Sequence, residues 1–166
     1  MTEDRNGFRR DLTRLLPELR AFARFLTRDP TAADDLVQDT VLRALRNEHQ
    51  WEPGTSLKAW TFTIQRNAFV EARRKAGARQ RLLDTMSATE VTPARQEARM
   101  ELDGVGRALS TLPREQQEAI VLVGALGLSS EEAAAVAGVA VGTLKARVSR
   151  GRRALATRFD RPVEDG

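Results

Sequence analysis

From Phe8 onward the apolar positions fall at Leu12, Leu15, Leu16, Leu19, Phe22, Ala23 and Leu26, three and four residues apart, the stripe of one helix that Asp29-Pro30 then breaks. A second helix is expected to begin near Thr31 and to turn Leu36, Val37, Val41, Ala44 and Leu45 inward. It ends before the loop Trp51-Glu52-Pro53-Gly54-Thr55-Ser56, where Pro and Gly interrupt any regular pattern. A third runs from about Leu57 through Trp60, Ile64, Ala68 and Phe69 towards Lys75. Residues 77 to 99 have few apolar anchors and mix Gly, Ser, Thr and Pro93, the composition of a mobile linker. Periodicity resumes at Met100 with Leu102, Val105, Ala108, Leu109 and Leu112 and stops at Pro113. Pro113 then opens a further helix with Ala119, Ile120, Leu122, Val123 and Leu126 as its core face. No segment alternates with the period of a strand, so the expected fold class is all-α: two small helical domains, 8–76 and 100–160, joined by a flexible linker at 77–99. Domains of this size have small cores and gain from a partner.

Ser129-Ser130-Glu131-Glu132 has the spacing of a capping box, with Ser129 accepting from a backbone N–H and Glu132 reaching back to the cap. The helix it starts is short, because Gly138 offers the left-handed conformation that ends helices. Another starts around Val141-Gly142-Thr143, and small alanines let the two cross closely, as in a helix-turn-helix. Leu144, Val148 and Leu155 back the second of these helices and turn Lys145, Ser149 and Arg152 outward, flanked by Arg147, Arg150 and Arg153. Residues 141–158 contain no acid, whereas 113–140 contain Glu115, Glu118, Glu131 and Glu132. An apolar-backed cationic helix behind a tight turn can enter a major groove, its first turns meeting base edges and the flanking cations meeting phosphates. The same pattern also describes a plain helical hairpin with a solvated arginine face.

Composition narrows the chemistry. The chain has 166 residues, formal charge +4, no cysteine and one histidine, His49, which excludes disulfides, thiolate zinc sites and histidine-rich metal sites. No metal or cofactor is expected. No apolar run approaches the roughly 20 residues needed to span a bilayer, and the start, MTEDRNGFRRDL, lacks a secretory core, so a cytoplasmic protein without membrane contact is expected. Of the 27 cationic residues only Lys58, Lys75 and Lys145 are lysine. Guanidinium forks suit phosphates and base edges, although arginine-favouring codon usage gives the same composition. No paired carboxylates, nucleophile and base set, or Gly-rich phosphate loop suggests an enzyme.

Four stretches in this order and spacing resemble the extracytoplasmic-function (ECF) sigma factors, the two-domain specificity subunits of bacterial RNA polymerase. They are Ala33-Asp34-Asp35-Leu36-Val37-Gln38-Asp39-Thr40 with Leu42-Arg43-Ala44-Leu45; Trp60 to Asn67 with Arg73-Arg74; Leu112 to Gln116; and Val141 to Arg150. The stretch from Leu112 to Leu155 is especially similar to the alphaproteobacterial general stress-response branch.

The resemblance implies a sigma domain 2 at the N-terminal side, whose second helix docks on the polymerase clamp helices through Asp35, Gln38, Asp39 and Leu42. Asp34, Asp35 and Asp39 also fit simple complementation of a helix dipole. It further implies opening of the minus 10 element by the loop carrying Trp51 and the helix carrying Arg66, Asn67, Arg73 and Arg74. Asn67 offers a donor and an acceptor to a base edge, and the arginines neutralise phosphate. Trp60, spaced from Ile64 as on a helix, reads more simply as core. The C-terminal domain, sigma domain 4-like, would contact the polymerase flap and read the minus 35 element with Thr143, Lys145, Arg147, Ser149, Arg150, Arg152 and Arg153.

Three departures from the family bear on promoter choice: Glu132-Ala133-Ala134 has alanine where many relatives carry a bulkier aliphatic, Ala146 stands where serine is common, and Gly151 interrupts the recognition helix at about 1 kcal/mol relative to alanine. The expected partners are core RNA polymerase, promoter DNA and a small helical anti-sigma factor, and the expected regulon is stress-response genes. The alternative from the interaction class is a sigma-like decoy that sequesters an anti-sigma factor without binding DNA.

Overall fold

The structure, a computed structural model, describes residues 2–86 and 104–160. They belong to two compact units divided between Arg99 and Met100. Among the described residues there is no strand. The first unit contains α1 (Thr2–Arg14), α2 (Leu16–Thr27), α3 (Pro30–Arg46), a 3-10 turn at Glu48–Gln50 and the long α4 (Leu57–Met86).

The apolar stripe expected to form one helix from Phe8 to Leu26 is carried by two. Pro17 sits in the first turn of α2 and has no N–H to give to the carbonyl four residues back, so the chain bends at Leu15, whose N–H turns to Leu12 O at 3.1 Å. Periodicity continues across the break, which is why it is invisible in the pattern. The α2–α3 corner follows the sequence closely. Arg28 takes the left-handed conformation at φ 56°, Asp29 accepts from the Thr31 N–H at 3.2 Å, and Pro30 occupies the first turn of α3.

Leu19, Phe22, Ala23 and Leu26 of α2 are buried with Ala33, Leu36 and Val37 of α3 and Phe62 and Ala68 of α4 in the core. Phe22 and Phe62 pack edge to face with centroids 5.4 Å apart. Three polar residues are buried with them. Thr40 and Thr61 turn their hydroxyls onto the carbonyls of Leu36 and Leu57, each at 2.7 Å, and Gln65 donates through Nε2 to Leu19 O at 2.9 Å, joining α4 to α2. A second patch gathers Phe8, Leu12 and Ala44 with Val41, Leu45, Trp51, Leu57, Trp60 and Ile64, and there Trp60 meets Phe8 edge-on, as core.

Beyond Ala68 the helix α4 leaves this core yet continues to Met86, so residues 77–86, expected to begin the linker, are helical. Ala78, Arg79, Gln80, Arg81, Leu82 and Leu83 are good helix formers and need no buried face to propagate a helix already nucleated. The remainder of the expected linker, 87–99, and residues 100–103 of the next expected helix lie outside the described residues.

The second unit contains α5 (Gly104–Ser110), α6 (Arg114–Ile120), a π-helical turn at Val121–Ala125, α7 (Ser130–Ala137) and α8 (Val141–Phe159). Gln117, buried, donates to Leu112 O at 2.8 Å and so closes the α5–α6 corner. The helix expected to run on from Pro113 widens at Val121. The Leu126 N–H reaches five residues back to Val121 O at 2.9 Å, and the wider turn leaves Leu122 and Leu126 both buried across Gly124. Gly127, at φ 69°, then ends the segment.

Both halves of the capping box are present: Ser129 Oγ accepts from the Glu132 N–H at 3.1 Å, and the Ser129 N–H points back to Glu132 Oε1 at 3.4 Å. Gly138 ends α7 at φ 70°. Ala133, Ala134 and Ala137 are buried against Leu144 and Val148 of α8. Gly151 corrects an expectation. It is buried, and a Cβ there would lie 2.5 Å from Ile120 Cδ1, 3.3 Å from Ile120 Cγ1 and 3.5 Å from Gln116 Cβ. The glycine is a contact surface where α6 meets α8, not merely an interruption of the helix.

Three stability predictions follow from these surroundings. Gln65→Glu would set a buried carboxylate against the Leu19 carbonyl and is expected to destabilise the first unit by about 3 kcal/mol or more. Urea unfolding followed by tryptophan emission checks it, because Trp51 and Trp60 both lie in that unit; Gln65→Met should lose less. Gly77→Ala, with nothing within 4 Å of the new Cβ, should gain the ordinary helix increment of about 1 kcal/mol. Gly151→Ala should lower the thermal midpoint, and Ile120→Val in the same chain should restore it, as read by circular dichroism.

Candidate nucleic-acid interface

In the second unit α8 sorts its side chains by chemistry. Leu144, Val148 and Gly151 are buried and Leu155 is half-buried, while Thr143, Lys145, Ser149, Arg150, Arg152 and Arg153 are exposed. Six of the seven residues assigned from the sequence to this surface therefore share solvent access on one acid-free helix. The seventh differs: Arg147 is turned onto Glu115 of α6, Nη2 to Oε2 3.5 Å, and its side chain is only 21% exposed. Between the start of α6 and the start of α8 lies an open groove of about 410 Å³ lined by Glu115, Gln116, Thr143, Ala146, Arg147 and Arg150. Ala140 precedes α8 and offers its first amides no side-chain cap, so positive helix-end potential adds to the arginines there. The unit can thus present a cationic, hydrogen-bonding helix face to a polyanion.

In the first unit α3 leaves Asp35 and Gln38 exposed, with Leu42 52% exposed beside them, an apolar side chain that the core does not use. Asp39, placed on this same face by its spacing, is half-buried and already engaged. Arg43 Nε donates to Asp39 Oδ1 at 3.0 Å, and Arg43 Nη1 donates to Glu71 Oε2 of α4 at 2.9 Å. Lys75 Nζ holds the other Glu71 oxygen at 3.1 Å. The hydrogen bonds from Arg43 and then Lys75 hold the Glu71 carboxyl below the usual carboxylate range. Those from Glu71 and Asp39 raise the Arg43 guanidinium further. With Glu71 depressed in the folded chain, its contribution is complete above the ordinary carboxylate range and is lost as acid carries the pH down through the lowered value.

On α4 Asn67, Arg73 and Arg74 are exposed and Arg66 is half-buried. The Arg73 guanidinium lies 5.7 Å from the Phe69 ring centre, a contact that orients it. Trp51 is placed differently from an aromatic free in a loop. Its ring packs on Phe8 with centroids 5.7 Å apart, and its indole N–H is buried with no acceptor. The exposed part of the loop is Glu52 to Ser56, shaped by Gly54 at φ 91° and by the Thr55 hydroxyl donating to Glu52 O at 2.6 Å. Ser56 Oγ accepts from the Ala59 N–H at 3.1 Å and so caps α4.

The ladder of Asp39, Arg43, Glu71 and Lys75 is the feature that sequence reasoning missed. Its two intrahelical rungs have the readable i,i+4 spacing, but the rung that joins α3 to α4 spans 28 residues and leaves no local signal. Among the described residues no helix is long and apolar enough to cross a membrane.

The comparisons with known proteins agree with this geometry. Residues 12–79 match the Sigma-70 region 2 family and residues 102–155 the Sigma-70, region 4 family. The ECF RNA polymerase sigma factor EcfG of Rhodopseudomonas palustris (strain TIE-1) is 44% identical over 151 residues, which cover 90% of this chain and 83% of that protein. Among solved structures, the sigma factor RpoE in complex with the anti-sigma factor NepR from Bartonella quintana superimposes with a TM-score of 0.75 at 42% identity, covering 93% of this chain and 99% of that one. CnrH in complex with the cytosolic domain of CnrY gives a TM-score of 0.64 at 28% identity, covering 94% of this chain and 89% of that one. With both sigma regions in order and a relative of this identity and extent, the chain belongs to the extracytoplasmic-function (ECF) sigma factors of bacterial RNA polymerase.

Proposed function

We propose that this sigma factor works in the cytoplasm, where it brings core RNA polymerase to stress-response promoters and is held in check by a small helical anti-sigma protein. One observation carries the reading: the exposed, acid-free face of α8 sits in the unit matched to region 4. A decoy that only sequestered an anti-sigma factor would give that face no task. The regulatory part is supported by likeness to EcfG and to an RpoE solved with its anti-sigma factor NepR.

Within the first unit, Asp35, Gln38 and Leu42 are the polymerase face of α3, with Asp39 at its edge and shared with Arg43. Asn67, Arg66, Arg73 and Arg74 are the minus 10 face of α4, and Trp51 supports the adjoining loop from beneath through Phe8. In the second unit Thr143, Lys145, Ser149, Arg150, Arg152 and Arg153 take the minus 35 element, while Arg147 reaches DNA only by leaving Glu115. The domain limits are those of the sequence reading, 8–76 and 100–160, with α4 carrying helix into the intervening segment. Unstacking a base costs a few kcal/mol, so opening needs many modest contacts and no catalytic group.

Run-off transcription on fragmented genomic DNA, with core polymerase from the source bacterium and with or without this protein, tests the reading. New specific transcripts are expected. Silence from a folded sample that binds a small helical partner would instead establish the decoy. The division of labour has its own test. Arg150→Ala should weaken closed-complex binding about tenfold, in line with a lost major-groove or phosphate contact, as measured by gel shift. Asn67→Ala should leave that affinity nearly intact and reduce permanganate reactivity of the opened minus 10 region. Equal losses at both steps for both variants would refute the division.

A further inference from the structure

We infer that Arg43 is a positioning residue that acts through Glu71: from α3 it neutralises and holds the single acid on the DNA-facing stripe of α4, keeping that carboxylate from repelling promoter phosphate. The inference rests on the reading of α4 as the minus 10 surface. Between Leu57 and Leu83, α4 contains Lys58, Arg66, Arg73, Arg74, Lys75, Arg79 and Arg81 but one acid, Glu71, and its second acid, Asp84, comes only in the last turn. Asn67, Glu71 and Arg74 are spaced four and three apart and so lie along one side of the helix. A bare carboxylate at the centre of that stripe would stand where a polyanion is to bind.

The structure removes this conflict with a cation from another helix. Arg43 uses Nε for Asp39 and Nη1 for Glu71, so its fork is oriented from α3, and its two acceptors make it bridge the helices. Lys75 alone would serve less well. It belongs to α4, its side chain is 76% exposed, and it supplies a point charge on a flexible stem that nearby phosphate can draw away. With Arg43 in place, Asp39, Arg43, Glu71 and Lys75 form a neutral set, and Glu71 stays matched when Lys75 turns to DNA. Half-exposed ion pairs of this kind add little to folding stability, and the core between α3 and α4 is already supplied by Leu36, Val37, Ala44, Phe62 and Ala68. What the ladder changes is the charge that α4 shows.

A double-mutant cycle on the full-length protein, assembled with core polymerase, tests this. The DNA is a labelled fragment carrying a promoter that the wild-type holoenzyme transcribes. R43Q is expected to weaken fragment binding about threefold to tenfold at low salt, read on holoenzyme assembled with saturating sigma factor so that core affinity does not enter. E71Q should bind at least as tightly as wild type. The double variant R43Q/E71Q should return close to E71Q, because without the carboxylate there is nothing to neutralise. A purely structural latch predicts the opposite pattern, in which E71Q loses as much as R43Q and the double variant recovers nothing; that result, or wild-type binding by R43Q, overturns the inference. Should R43Q fail to fold, E71Q decides alone: weaker binding overturns the inference and equal or tighter binding supports it. If the wild-type holoenzyme yields no promoter-specific transcript, it is the reading of the surface that fails, and this is seen before any variant is made.

Discussion

The edge-to-face contact between Phe22 and Phe62, with Gln65 tied to the Leu19 carbonyl one turn further on, is the constraint from which the first unit takes its form. These residues are fully buried and fix the N-terminal half of α4 in both depth and rotation. A helix of 30 residues pinned at one end must carry the rest of its length out of the core. That outward length holds Arg73 and Arg74, and Asn67 turns to solvent just before it, so the polar groups α4 exposes are those for which the aromatic contact leaves no room inside. The buried threonines belong to the same logic: each satisfies its hydroxyl on its own helix, and neither constrains a neighbour.

The second unit reaches a similar division by a different route. Its described residues hold no aromatic pair, and its core is built of leucines, alanines, Val136, Val148 and one buried glycine. Small residues let α7 and α8 approach closely, and Gly151 does the same between α8 and α6. Close approach maximises dispersion contact per residue in a unit too small for a large core. It also leaves long side chains only one direction, and on α8 those side chains are cationic. Arg147 is the exception that defines the edge of the face, because Glu115 at the start of α6 is near enough to hold it.

The parts that were legible in the sequence are those whose cause is local. The helices of both units, the Asp29-Pro30 start, the capping box at Ser129 and the left-handed Gly138 depend on residues within one or two turns of each other, and spacing reports them. The break at Pro17 was hidden because apolar periodicity runs through it, a case in which the missing N–H outweighs the pattern. The helical continuation over 77–86 was hidden for the opposite reason, since helix formers without an apolar stripe look like linker when burial is the signal sought. Gly151 was read from a general tendency, glycine as a helix cost, and Trp51 from its place in a loop. Both were decided by a partner far away in sequence, Ile120 for one and Phe8 for the other. The solvent-exposed side of α8 was legible because one helix carries it, whereas the α3 and α4 surfaces include a charge ladder that only tertiary structure assembles.

Small cores and exposed functional faces are two consequences of one economy of surface. Units this size bury a smaller fraction of their chain than larger domains do and remain marginal on their own. Side chains such as Leu42, left at 52% exposure on α3, are then not defects of packing. A partner that covers them supplies their burial, and that stabilisation is gained only in the complex. Binding and folding stability are thereby linked: a partner that covers such a face stabilises the unit by mass action. For a specificity subunit that must pass between a polymerase and DNA, the linkage favours modest intrinsic stability. A chain that satisfied every face internally would have nothing left with which to distinguish its partners.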